Sequence, residues 1–105
     1  MRQFKFKKNA PNGLISGICR IHEKFIFFKY EQSDQAKNVI NEFKKKGISV
    51  ETGKGWIKID LLKDYEEVKL KDVTIDTIED SLEEIEIKLF NFYINQYKSL
   101  GFYVE

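Results

Sequence analysis

Glu51-Thr52-Gly53-Lys54-Gly55-Trp56 sets a lysine between two glycines, beside the only tryptophan of the chain. A phosphate cradle with a stacking platform would use these residue types. A phosphate loop, however, needs the longer Gly-x-x-x-x-Gly-Lys-Ser/Thr spacing and a following helix whose amides face the phosphate. Here the lysine is followed by glycine and then by an alternating segment, so spacing and context both fail. The glycines suit the positive φ of a hairpin bend. Lys54 and Trp56 remain as candidate contacts, since tryptophan is enriched among binding hot spots. The competing expectation is a tryptophan roofed by the last helix.

Cys19-x-x-His22 carries the only cysteine and the only histidine. Alternate residues of a strand face opposite sides, so an offset of three separates this pair and spoils both a metal site and a thiol–imidazole nucleophile. Carboxylates are plentiful between Asp60 and Glu86, but none stands in a metal-binding or nuclease spacing. No nucleophile, base and oxyanion donor assemble from these motifs, so the expectation is a protein that is not an enzyme and needs no metal or cofactor.

Two charged groups have a binding interpretation. Residues 1–58 hold 13 Lys/Arg against 5 Asp/Glu, whereas residues 59–105 hold 5 against 12. In the basic half, Lys5, Lys7, Lys8, Lys44, Lys45, Lys46 and Lys54, with Arg20, form a cationic set that could hold phosphates while aromatics such as Phe4, Phe6 and Trp56 stack bases. No RNA-binding sheet signature or helix-turn-helix accompanies them. In the acidic half, Glu79, Asp80, Glu83 and Glu84 form like-charged i,i+4 pairs, which fit a solvated helix face or a surface for a basic partner.

The elements that must position these residues follow from periodicity. At 105 residues, with 42% hydrophobic and 14% aromatic content, the chain can enclose one core, so residues 1–105 should form a single globular domain. Arg2–Lys8 alternates as a strand, Asn9–Gly13 is rich in turn residues, and Leu14–His22 and Phe25–Glu31 read as a hairpin across Glu23-Lys24. Opposing Ile21 to Ile26 places Cys19 opposite Phe28 and Gly17 opposite Tyr30. Phe25 and Phe27 then share the other face, which implies a strand buried on both sides or covered by a partner.

Ser33 and Asp34 open a helix that stops at Gly47 and ends in three lysines. Ile48–Thr52 and Trp56–Leu61 alternate around the glycine loop, and Glu66–Ile75 offers a further edge strand through Val68 and Leu70. Thr77 is expected to cap a final helix reaching Gly101. The order is β-β-β-α-β-β-(β)-α, a two-layer α+β domain in which two helices pack on a mostly antiparallel sheet of about five or six strands.

The last helix carries two apolar stripes. Ile78, Leu82, Ile85, Leu89 and Phe92 suit the sheet, while Ile87, Phe90, Ile94 and Tyr97 lie well around the helix and need another cover, which the other helix or the C-terminal Gly101–Glu105 could supply. If the fold does not cover them, they mark an interface. The leading expectation is therefore a small protein-binding protein that inhibits by occupancy through Glu79, Asp80, Glu83, Glu84, Phe90, Ile94 and Tyr97. By analogy at the level of protein class, immunity proteins and phage-encoded inhibitors of nucleases or other nucleic-acid-binding proteins work in this way. The alternatives are a nucleic-acid-binding module using the basic half and a structural homodimer through the second stripe. One cysteine, no signal-like apolar run and no stretch near the roughly 18 residues of a membrane span point to the cytoplasm, away from membranes.

Overall fold

Alternating segments in the first sixty residues build most of one sheet. The computed structural model describes Met1–Glu105. Its elements are β1 (Arg2–Ala10), β2 (Gly13–His22), β3 (Phe25–Tyr30), α1 (Ser33–Lys45), β4 (Val50–Thr52), β5 (Ile57–Asp60), β6 (Glu67–Leu70), β7 (Val73–Asp76), α2 (Leu82–Ser99) and β8 (Tyr103–Val104). Six strands form an antiparallel sheet in the order β4-β5-β3-β2-β1-β8, and β6 and β7 form a separate hairpin. Both helices lie on one side of the large sheet, giving two α+β layers. No helix is long and apolar enough to cross a membrane.

The β2–β3 register pairs Ile21 with Ile26, Cys19 with Phe28 and Gly17 with Tyr30, as the alternation requires. Its two-residue turn contains no glycine, so Glu23 itself takes φ 54°. The Glu23 N–H then donates to the Glu86 carboxylate of α2 at 3.1 Å, which ties the turn to the helix layer. Gly17 is required by close approach. A Cβ there would lie 2.7 Å from Phe6 Cζ and closer still to the Lys29 carbonyl oxygen.

On the helix side the sheet supplies Phe4, Phe6, Cys19, Ile21, Ile26, Phe28, Ile57 and Ile59, all buried. The seam of α2 that meets them is Ile85, Leu89, Tyr93 and Tyr97, four residues apart and therefore on one face. Leu62 and Ile75, from the loop after β5 and from β7, close the core. Helix α1 buries no residue fully, but Phe43 stacks on Phe28 at 6.2 Å and Ala36, Val39 and Ile40 pack beside it.

Three expectations need correction. The segment from Glu66 is a hairpin, because Asp72 adopts φ 62° and turns the chain without a glycine. Helix α2 starts at Leu82, where Ser81 accepts the Glu84 N–H, whereas Thr77 belongs to a turn in which Asp76 accepts the Ile78 and Glu79 N–H groups. Ser33 begins α1 without capping it. The C-terminal segment after Gly101, one of the two covers open to the second stripe, pairs with β1 as β8 and places Phe102 against Phe6 and Tyr97.

Candidate functional site

Because side chains alternate across a strand, the residues that the helices leave uncovered are set by the same register. Lys5 pairs with Ile18, which pairs with Lys29; Arg20 pairs with Phe27, which pairs with Lys58; and His22 pairs with Phe25, which pairs with Asp60. Lys7 lies between Ser16 and Tyr103, and Lys58 reaches Glu51 on the far edge. None of Ile18, Phe25, Phe27 or Trp56 joins the apolar core, although all four are half-buried. Cationic side chains, whose stems are apolar, lie over Phe25 and Trp56, and Phe27 packs against Trp56.

The contacts are specific. The Arg20 guanidinium stands 4.5 Å from the centre of the Trp56 ring, whose plane meets Phe27 edge-on at 6.4 Å and 88°. Lys58 Nζ is 4.4 Å and Lys24 Nζ 5.6 Å from the Phe25 ring, and Lys7 Nζ is 5.2 Å from Tyr103. Cation–ring contacts at these separations are attractive. Two of these cations also meet carboxylates, Lys58 with Glu51 at 3.8 Å and Lys24 with Asp60 at 3.6 Å. Lys5, Lys7, Arg20 and Lys29 form no ion pair. These four cations of the open face thus lack an ion-pair partner and stand next to a track of rings, while Glu31 and Glu105, the latter exchanging backbone hydrogen bonds with Lys5, line the same hollow as Lys5 and Lys7.

No family model, curated protein or solved structure matches the chain. The site must therefore be judged from its own chemistry.

The residues expected to bind nucleic acid are divided by the fold. Lys5, Lys7 and Trp56 share the open face. Lys8 points to the helix side, donates to the Leu100 carbonyl at 2.8 Å and lies over Phe102. Lys44, Lys45 and Lys46 are exposed at the end of α1, in the helix layer, and Lys45 pairs with Glu42 at 3.7 Å. Lys54 is exposed at a tight bend closed by the Gly53 N–H donating to the Trp56 carbonyl at 2.7 Å, with Gly55 at φ 80°. The glycine-flanked lysine is thus the tip of a hairpin. Trp56 lies against Phe27 and Arg20 on the open face instead of beneath the last helix.

The acidic and aromatic set is divided as well. Glu79, Glu83 and Glu84 are exposed. Asp80 is half-buried; its bond from Lys88 at 2.7 Å, then the Asp76 N–H, hold its carboxyl below the usual range. Phe90 and Ile94 are half-buried and pack on the core, Phe90 edge-on to Phe4 at 6.0 Å. Tyr97 is a core residue: it is 8% exposed, stands 4.4 Å from Phe6 between ring centres, and shares a 3.0 Å hydrogen bond with the Tyr30 hydroxyl. Burial pushes the Tyr97 phenol far up, and the neighbouring Tyr30 adds to the shift. Of the second stripe, Phe90, Ile94 and Tyr97 are covered by the protein's own sheet and C-terminal segment, while Ile87 stays exposed.

Cys19 is fully buried under the helices, its thiol pushed up by burial, while His22 is exposed on the opposite face. No group of three metal-ligating side chains converges anywhere in the fold. Lys29, Lys58 and Phe25 share the open face, which the alternation that defined the core face also defines, whereas Tyr103 joins it through β8, a strand that the alternation did not mark.

Proposed function

We propose that this is a binding protein without catalytic activity, acting in the cytoplasm, that takes nucleic acid on the open face of its six-stranded sheet. The observation that carries the reading is the group Lys5, Lys7, Arg20 and Lys29, which makes no ion pair, outnumbers the neighbouring Glu31 and Glu105, and is interleaved with half-exposed rings. Phosphates satisfy such cations and release their own counterions on doing so, which drives binding and makes it fall with salt. Fluorescence anisotropy of a labelled oligonucleotide across a salt series tests it. Wild-type protein should bind at low salt, and the Lys5→Gln, Lys7→Gln, Lys29→Gln variant should lose about two units of the log–log salt slope, at roughly 0.7 per phosphate contact. No binding at low salt, or an unchanged slope in the variant, would refute the proposal.

A second reading concerns the other end of the molecule. Tyr65, Ile78 and Leu82 are 58%, 70% and 50% exposed, and Glu79, Glu83 and Glu84 lie beside the last two in sequence. Exposed apolar groups rimmed by carboxylates suit a basic protein partner. This supports inhibition by occupancy, in the manner of an immunity protein or a phage-encoded inhibitor, with Ile78 and Leu82 taking the part assigned to Phe90, Ile94 and Tyr97 from sequence. Ile78→Ser with Leu82→Ser should abolish capture of such a partner while leaving oligonucleotide binding intact; undiminished capture would remove this surface from consideration.

A further inference from the structure

Resting on the nucleic-acid reading, we infer that the open face selects single strands, with Trp56 as the platform for an unpaired base and Arg20 as the side chain that moves aside to admit it.

A duplex hides the faces of its bases in its own stack and offers only edges and phosphates. Reading those edges takes a helix or ribbon that enters a groove. The open face has neither: it is a sheet surface, and the turns joining β1 to β2 and β2 to β3 are only two residues long. What the face does present is rings. Their value to a ligand comes from stacking, which every unpaired base allows and no paired base does.

The layout also separates the two tasks. Lys5 and Lys7, two residues apart on β1, lie about 7 Å from each other along the strand. Lys29 stands two strands away, across Ile18. These cations can follow a single backbone while its bases turn toward β3 and β5, where Phe27 and Trp56 lie. One face of the Trp56 ring is already occupied by a planar cation, the Arg20 guanidinium at 4.5 Å. A base is also planar and fits the same place, and the displaced guanidinium can turn to the phosphate beside it. Arg20 is anchored only weakly, its Nε donating to the Gln3 side chain at 3.3 Å, so little opposes the exchange.

Trp56 is the only tryptophan, so its emission reports on this position alone. The probes are an oligothymidylate of about 12 nucleotides, within the usual footprint of single-strand-binding folds, and a duplex of equal length. Anisotropy measures binding and tryptophan emission measures stacking. The single strand should quench Trp56 and bind at least about tenfold more tightly than the duplex, and Trp56→Leu should weaken it by roughly 5- to 150-fold. Arg20→Ala should keep the quenching and reduce the salt slope by about 0.7. Equal or tighter duplex binding, or single-strand binding without quenching, would overturn this inference and leave the broader proposal standing. Failure of both probes to bind at low salt would overturn the two together. The comparison of the two probes uses wild-type protein, so it does not depend on any variant folding.

Discussion

Replacing Tyr97 by alanine asks whether the aromatic half of α2 is core or interface. The Tyr97 ring stands 4.4 Å from Phe6, 5.0 Å from Phe102 and 5.6 Å from Phe4 between ring centres. Deleting a ring so enclosed leaves a cavity as well as losing its transfer from water, and aromatic-to-alanine changes in cores cost about 3–5 kcal/mol. The Tyr30 hydroxyl also loses its 3.0 Å partner, but Tyr30 is only half-buried and water can replace the bond, so this adds about 1 kcal/mol at most. Against a total stability of about 5–15 kcal/mol for a domain of this size, the loss is about a fifth or more. The melting temperature should fall by about 12 °C or more, at roughly 4 °C or more per kcal/mol. Urea unfolding followed by circular dichroism measures the change, and Tyr97→Phe, which keeps the ring, should lose only about 1 kcal/mol. An unchanged Tyr97→Ala midpoint, with loss of self-association or of a captured partner, would show that the side chain faces outward in solution.

Two further outcomes follow from close packing and from charge. Gly17→Ala should destabilise by about 1–3 kcal/mol, because the new methyl must push β2 away from Phe6 and the Lys29 carbonyl; an unchanged urea midpoint would refute the close approach. Glu86 is buried, which by itself raises its pKa, but the Glu23 N–H and the cations of the Met1 amine and Arg2 outweigh that and hold it low. A carboxyl lowered by folding contributes stability above its unfolded value and loses it as pH falls through the folded one. Wild-type protein should therefore lose more stability than Glu86→Gln between pH 6 and about pH 3, and parallel losses in urea titrations would remove this role.

The fold was legible wherever one local rule governed. The β2–β3 register followed from alternation and a two-residue gap, and the end of α2 from Gly101, which takes φ 88°. Ambiguity arose where two residues offered the same chemistry. Thr77 and Ser81 are both good caps, and only the Asp76 turn settles the choice. Asp72 concealed a hairpin by adopting a conformation usually left to glycine. The stripes of α2 misled because Tyr93, absent from both, belongs to the seam, while Ile78 and Leu82 stand in water. The site failed for a different reason. Apolar residues on both faces of β3 implied a cover on each, but Lys58 over Phe25 and Arg20 over Trp56 serve as the second cover. Sequence counts such residues as polar, although much of their length is hydrocarbon.

The charge division of the chain becomes a spatial one because of strand order. Strands β1 to β5 all come from residues 2–60, so the open face inherits the basic half, while the acidic half forms the β6–β7 hairpin and α2 behind the sheet. The face is itself graded. Glu51 and Asp60 pair with Lys58 and Lys24 on β5 and its neighbours, whereas Lys5, Lys7 and Lys29 make no ion pair, although Glu31 and Glu105 line the hollow beside Lys5 and Lys7. A polyanion drawn in by the field of the free cations would therefore settle over β1 and β2, and its non-phosphate portion would meet the rings toward β5. Duplex and single strand feel the same attraction at long range. Only the single strand has base faces to offer once it arrives, so the aromatic side of the face, and Trp56 above all, is where a preference between them must originate.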